Sequence, residues 1–171
     1  MNRSGDREAM ADKTQPMITG ELYAGYAGES IRAFASSGGI VSAILTELLE
    51  SGQIDGALVS RITSRDDHVV AETLLATTRE EILACGGSSY IDTPVLQQVK
   101  ALAGSDMRRV AVVALPCQVR ALRSMMARDP QLREKFSPVI SLFCRGTVKP
   151  AFYDDFLARE GIAPGMFETV K

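Results

Sequence analysis

Residues 109–126 read RVAVVALPCQVRALRSMM, and the fold class turns on this stretch. Arg109 to Leu115 is a short apolar run bounded by polar flanks and Pro116, the pattern of a strand buried on both faces of a parallel sheet. A helix over Cys117 to Met126 follows directly. Downstream, Val139 to Phe143 (VISLF) reads as a second buried strand, ending at Cys144. Strand, helix, strand in that order is a crossover between parallel neighbours.

Working back from there, Ile54 to Ile62 (IDGALVSRI) and Val69 to Ala76 (VVAETLLA) read as strands joined by the polar SRDD turn, an antiparallel hairpin. Ile40, Val41, Ile44, Leu45, Leu48 and Leu49 recur at helical spacing, and Gly52 stops that helix. A short helix over Arg79 to Ala84 opens behind Thr77 or Thr78, with Glu80 and Glu81 in the first turn, where acids suit the helix dipole. Further helices are expected over Pro94 to Ala103 and over Lys149 to Arg159, the last with Phe152, Phe156 and Leu157 on one face. Glu21 to Ala27 reads as extended. The class is α/β, a mainly parallel sheet covered by helices on both faces with one antiparallel hairpin. Residues 1–17 are polar and aperiodic and read as a disordered tail; 18–171 form a single domain.

Composition removes several classes of function. The 171 residues carry 19 Lys plus Arg against 21 Asp plus Glu, and no dense basic cluster or exposed stacking platform marks a nucleic-acid binder. No apolar run is long enough to span a membrane, and the first residues hold no secretory h-region. Three widely spaced cysteines, Cys85, Cys117 and Cys144, make no disulfide framework, so reduced thiols and a cytoplasmic location are expected. The one histidine, His68, excludes a two-histidine metal site and reads as a solvated turn residue in SRDDH.

In open α/β sheets ligands gather beyond the carboxyl ends of the strands. Three loops fit that position. Ser36-Ser37-Gly38-Gly39 precedes an apolar helix, where serine caps and glycine together let a phosphate approach backbone N–H groups. Plain helix capping is the alternative. Gly86, Gly87, Ser88, Ser89 and Tyr90 form a small-residue loop with hydroxyls for phosphate or ribose and a ring to pack on; an ordinary connecting loop is its alternative. Cys117 begins a helix, where the dipole favours thiolate, and Cys144 ends a strand, so two thiols at equivalent strand ends could converge. Packing as small hydrophobes is the competing reading for both, and the better one for Cys85. Cys117 and Arg123 also match C-x5-R, but the intervening QVRAL lacks glycine and favours helix over an anion-wrapping loop.

Taken in order, IRAFASSGGIVSAILTELLESGQIDGALV, TTREEILACGGSSYIDTPVL, VAVVALPCQVRALR and VISLFC resemble the coenzyme F420 hydrogenase/dehydrogenase beta-subunit family, which is similar to 7-hydroxymethyl chlorophyll a reductase. The resemblance runs from about Glu21 to Lys171. It implies an oxidoreductase subunit that binds FAD and a 4Fe–4S cluster and passes electrons or hydride between the cluster and coenzyme F420 or a ferredoxin-like partner. It also implies cofactor contacts from Ser36, Ser37, Gly38, Gly39, Gly87, Ser88, Ser89 and Tyr90, and metal ligation by Cys117 and Cys144; no residue is given a catalytic role. Hydrogenase, formate dehydrogenase or ferredoxin-like subunits are the implied partners, and a homo-oligomer is compatible with it. Two departures stand out. Ser89 sits where members often carry a lysine, and the cysteines are too few for a complete cluster. The chain then reads as the N-terminal part of a longer flavin and iron–sulfur subunit, or as a non-catalytic interaction module docking onto a larger redox complex.

Overall fold

Alternation along RVAVVAL divides the interior in two. Val110, Val112 and Ala114 pack on one face of the sheet, Ala111 and Val113 on the other. The computed structural model describes residues 22–163; the expected tail over 1–17 lies outside them. In chain order the elements are α1 (Glu29–Arg32), α2 (Ile40–Glu50), β1 (Gly56–Arg65), β2 (His68–Ala76), α3 (Arg79–Ala84), α4 (Val95–Leu102), β3 (Val110–Ala114), α5 (Pro116–Arg128), α6 (Pro130–Lys135), β4 (Val139–Ser141) and α7 (Pro150–Arg159). The sheet order is β2-β1-β3-β4, with β1, β3 and β4 parallel and β2 antiparallel to β1.

Helices α4, α5 and α6 cover one face, where Val99, Leu122 and Phe136 meet Leu58 and Val112. On the opposite face α2 and α3 bring Leu45 and Ile82 against Ala57, Val59 and Ala111. The α/β class, the parallel crossovers and the hairpin are as the sequence implies. Thr78 caps α3 by accepting from Glu81 N (3.2 Å), while Glu81 accepts from Thr78 N in return. Pro116 takes the first position of α5, where its missing N–H costs nothing.

Three expectations change. The hairpin turn is only Asp66-Asp67, both with positive φ, as a tight two-residue turn requires, so the strands run on to Arg65 and His68. His68 is therefore a strand residue. It stays exposed, with Nδ1 3.1 Å from Asp154 Oδ2. The strand expected over Val139 to Phe143 stops at Ser141 and is not buried: β4 is a sheet edge, and Phe143 is fully exposed. Finally, α7 does not bury Phe152 and Phe156. Asp154 accepts the Val69 N–H (2.8 Å), which turns Tyr153 and Leu157 toward the hairpin and leaves both phenylalanines half-exposed.

Asp55 closes the far end of the sheet. Its Oδ2 accepts the N–H groups of Arg108 (2.8 Å) and Arg109 (2.9 Å), just ahead of β3. Those two backbone donors hold its carboxyl below the ordinary value of 3.8. A depressed acid stabilises the fold above its unfolded pKa and loses that effect as pH falls through its folded pKa. Stability is accordingly expected to fall below about pH 4, and Asp55→Asn, which keeps an acceptor but does not titrate, should flatten that limb in denaturation curves taken across the acid range.

Candidate functional site

The N-terminus of α2 sets the first wall of a cleft. Gly39, at φ 71°, is its N-cap, and a Cβ there would press on Ala27 Cβ and Ala35 Cβ at 3.3 and 3.4 Å. Such a left-handed position in a tight spot suits glycine. Ala43 N donates to Gly39 O (3.0 Å). The N–H groups of Ile40, Val41 and Ser42 therefore lie ahead of the first intrahelical bond, and all three residues line the cleft.

Two clasps hold the other walls. Ser36 N donates to Gly86 O (3.3 Å) and Ser88 N donates to Ser36 Oγ (3.0 Å), joining the loop before α2 to the loop after α3. At the opposite rim Val148 N donates to Tyr90 O (2.7 Å) and the Thr147 hydroxyl donates to Asp92 Oδ1 (3.1 Å). The floor is the carboxyl end of the sheet, with Val59, Val113, Ala114 and Leu115. Gln118 pins it, accepting from Leu115 N (2.9 Å) and donating to Thr93 O (2.8 Å).

The cleft so formed encloses about 700 Å³. Ser36, Ser37, Gly38, Gly39, Gly87, Ser88, Ser89, Tyr90 and Cys144 all line it; Cys117 does not. Ser36 uses its hydroxyl to accept from the neighbouring loop, so part of its role is internal. Gly86 and Gln118 fall within loops that the sequence singles out but are given no contact of their own there, and Arg145 is not singled out. Gly86 and Gln118 act through contacts distant in sequence, while Arg145, the one cationic side chain lining the cleft among the described residues, lies just beyond the conspicuous Cys144.

The thiols separate into two kinds. Burial pushes the Cys85 thiol up to about 11, with Glu72 and Glu81 adding to the effect and Arg61 opposing it, so it stays protonated at neutral pH. Cys117 and Cys144 are exposed. Ala114 pairs with Ser141 across β3 and β4, and each cysteine follows its strand's paired residue by three positions. Cys144 Sγ also accepts the Gly146 N–H (3.3 Å). Among the described residues no group of three or more His, Cys, Asp or Glu is placed to hold a metal ion, and no helix is long and apolar enough to cross a membrane. The C-x5-R stretch is helical, as its composition requires.

Residues 22–100 match the model of the coenzyme F420 hydrogenase/dehydrogenase beta subunit, N-terminal part, and residues 107–171 match that of its C terminus. The chain belongs to this family. The coenzyme F420 hydrogenase beta subunit of Methanococcus voltae is 34% identical over 112 residues, which cover 64% of this chain and 39% of that protein. The chloroplastic 7-hydroxymethyl chlorophyll a reductase of Oryza sativa is 29% identical over 109 residues, 64% of this chain and 21% of that one. In the structure of the F420-reducing [NiFe] hydrogenase complex from Methanosarcina barkeri one chain superposes with a TM-score of 0.68 at 25% identity, covering 78% of this chain and 46% of that chain. The chain thus spans less than half the length of these family members. These relatives are a hydrogenase subunit, a reductase and a chain of a hydrogenase complex, all of them oxidoreductases by name.

Proposed function

We propose that this family member is the flavin-binding portion of an electron-transferring oxidoreductase subunit, with FAD in the cleft and coenzyme F420 or a ferredoxin-like protein as its electron partner. One observation carries the reading: the uncapped N–H groups at the start of α2 open into a cleft of about 700 Å³ whose one lining cation among the described residues is Arg145. A pyrophosphate needs backbone donors and positive charge at close range, and Ser37, Gly38 and Gly39 stand where it would lie. Arg145 supplies the charge that Ser89 does not. Tyr90 and the apolar strand ends would flank a ring, and the two clasps would keep the walls in place. When bound, a flavin supplies both hydride and single-electron transfer; the residues here bind and orient it.

The iron–sulfur part of the expectation is not met by these residues alone. A 4Fe–4S centre takes about four thiolates, and the chain offers two exposed ones, Cys117 and Cys144. All three cysteines of the sequence are described, and Cys85 is partly buried, so Cys117 and Cys144 serve such a centre only with thiolates from beyond this sequence.

A second reading, an interaction module docked on a larger redox complex, has its own observation in Phe143, Phe152 and Phe156, all exposed. One experiment separates the two. The purified chain is mixed with FAD without oxygen, desalted, and its visible spectrum recorded. A retained flavin spectrum that Arg145→Gln weakens supports the flavin reading. A colourless, folded protein overturns it for this chain and leaves the docking module.

A further inference from the structure

The two helical layers carry opposite charge. On the α4–α5–α6 face Lys100, Arg120, Arg123, Arg128 and Arg133 are exposed, and Glu134 is the one acid within these three helices. None of the five cations has an ion-pair partner among the described residues. The opposite face is the reverse: α2 and α3 carry Glu47, Glu50, Glu80 and Glu81 with Arg79, which is spent on Glu50 at 2.9 Å. In a chain of net charge -2 this is a marked polarity across one sheet.

Local stability does not account for the basic side. Helix α5 has no acid in its first turn and none at i,i+4 spacing to any of its arginines. Arg120 and Arg123, three apart, repel rather than support one another. Only Arg128, in the last turn, complements the dipole. The row starts one turn from the exposed thiol of Cys117, at the sheet end where the cleft opens.

We infer that this face docks an acidic electron-carrier protein, steered by Lys100, Arg120, Arg123, Arg128 and Arg133. The inference rests on the oxidoreductase reading above and names the partner's chemistry. Charge complementarity of this kind raises the encounter rate and orients the partner, and it weakens as salt screens it. Phosphate backbones are the poorer match, because the exposed aromatic side chains lie on other elements and the whole chain is acidic.

The test is isothermal titration of the full chain with an acidic two-cluster bacterial ferredoxin, at low salt and at about 0.3 M. Binding that weakens at the higher salt is expected. Arg120→Glu with Arg123→Glu should weaken it at least about tenfold, while Glu47→Lys with Glu80→Lys on the other face leaves it no weaker. Arg123→Ala, expected to lose part of the affinity, is measured alongside, with circular dichroism confirming the fold of each variant. Equal binding by the charge-reversed protein overturns the inference. So does duplex DNA, or a vesicle of anionic lipid, bound as tightly as ferredoxin. FAD retention is read separately in the same preparations, so an unsubstituted chain that retains flavin but does not bind the ferredoxin rejects this inference alone.

Discussion

Gly86→Ala is expected to lower stability by about 3 kcal/mol and to spring the cleft open. A Cβ at this position would fall inside the contact radius of the Phe34 carbonyl oxygen and 3.1 Å from the Leu83 carbonyl oxygen. Both neighbours are backbone, so no rotamer change relieves the overlap. The loop before α2 has to withdraw, and the bonds from Ser36 N to Gly86 O and from Ser88 N to Ser36 Oγ are lost with it. Urea denaturation measures the first effect. Limited proteolysis measures the second, through new cleavage between Phe34 and Gly39 or between Gly86 and Tyr90. A variant with unchanged midpoint and unchanged cleavage would mean that the two loops do not meet as described.

Phe136→Ala should cost more, about 3–5 kcal/mol. Phe136 caps the C-terminus of α6, is 1% exposed, and is the largest fully buried side chain among the described residues. It packs in the core formed by Leu58, Val112, Leu122 and Leu132, under the same helices that carry the basic face. Removing the ring leaves a hole that α5 and α6 can fill only by leaving the sheet. Phe156→Ala is the matched control, since that ring is half-exposed and should change stability by no more than about 0.5 kcal/mol. Guanidinium unfolding of both variants settles the comparison; similar losses would place Phe136 outside the core.

The parts of the fold legible in the sequence were those encoded by short-range pattern. RVAVVAL declared a central strand, the spacing from Ile40 to Leu49 a helix, and Thr77 or Thr78 ahead of Glu80 and Glu81 the start of another. Edges were harder. VISLF has the composition of a buried strand, but burial depends on a neighbour beyond β4, which periodicity does not report. Likewise Phe152, Phe156 and Leu157 form a plausible apolar stripe, and the helix is turned instead by a hydrogen bond from Val69 to Asp154, 85 positions away in the chain. The cleft was half legible. Glycine and serine loops announce themselves, whereas the clasps through Gly86, Gln118 and Thr147 join residues remote in sequence. The basic face was invisible for a related reason: Lys100, Arg123 and Arg133 are dispersed among apolar positions, and only the packing of three helices gathers them.

The parallel pairing of β3 with β4 has a consequence for how this chain tolerates change in length. Cys117 and Cys144 are in step because each follows a residue of one ladder pair, Ala114 and Ser141, by the same three positions. The connection through α5 and α6 does not enter that relation at all, so residues gained or lost near Asp129, where the two helices join, leave the thiols in phase. A single residue gained between Ala114 and Cys117, or between Ser141 and Cys144, puts them out of phase. Changes in length near Asp129 are therefore expected to leave the distance of each cysteine along the chain from that ladder pair unaltered, whereas a change within either three-residue step alters it.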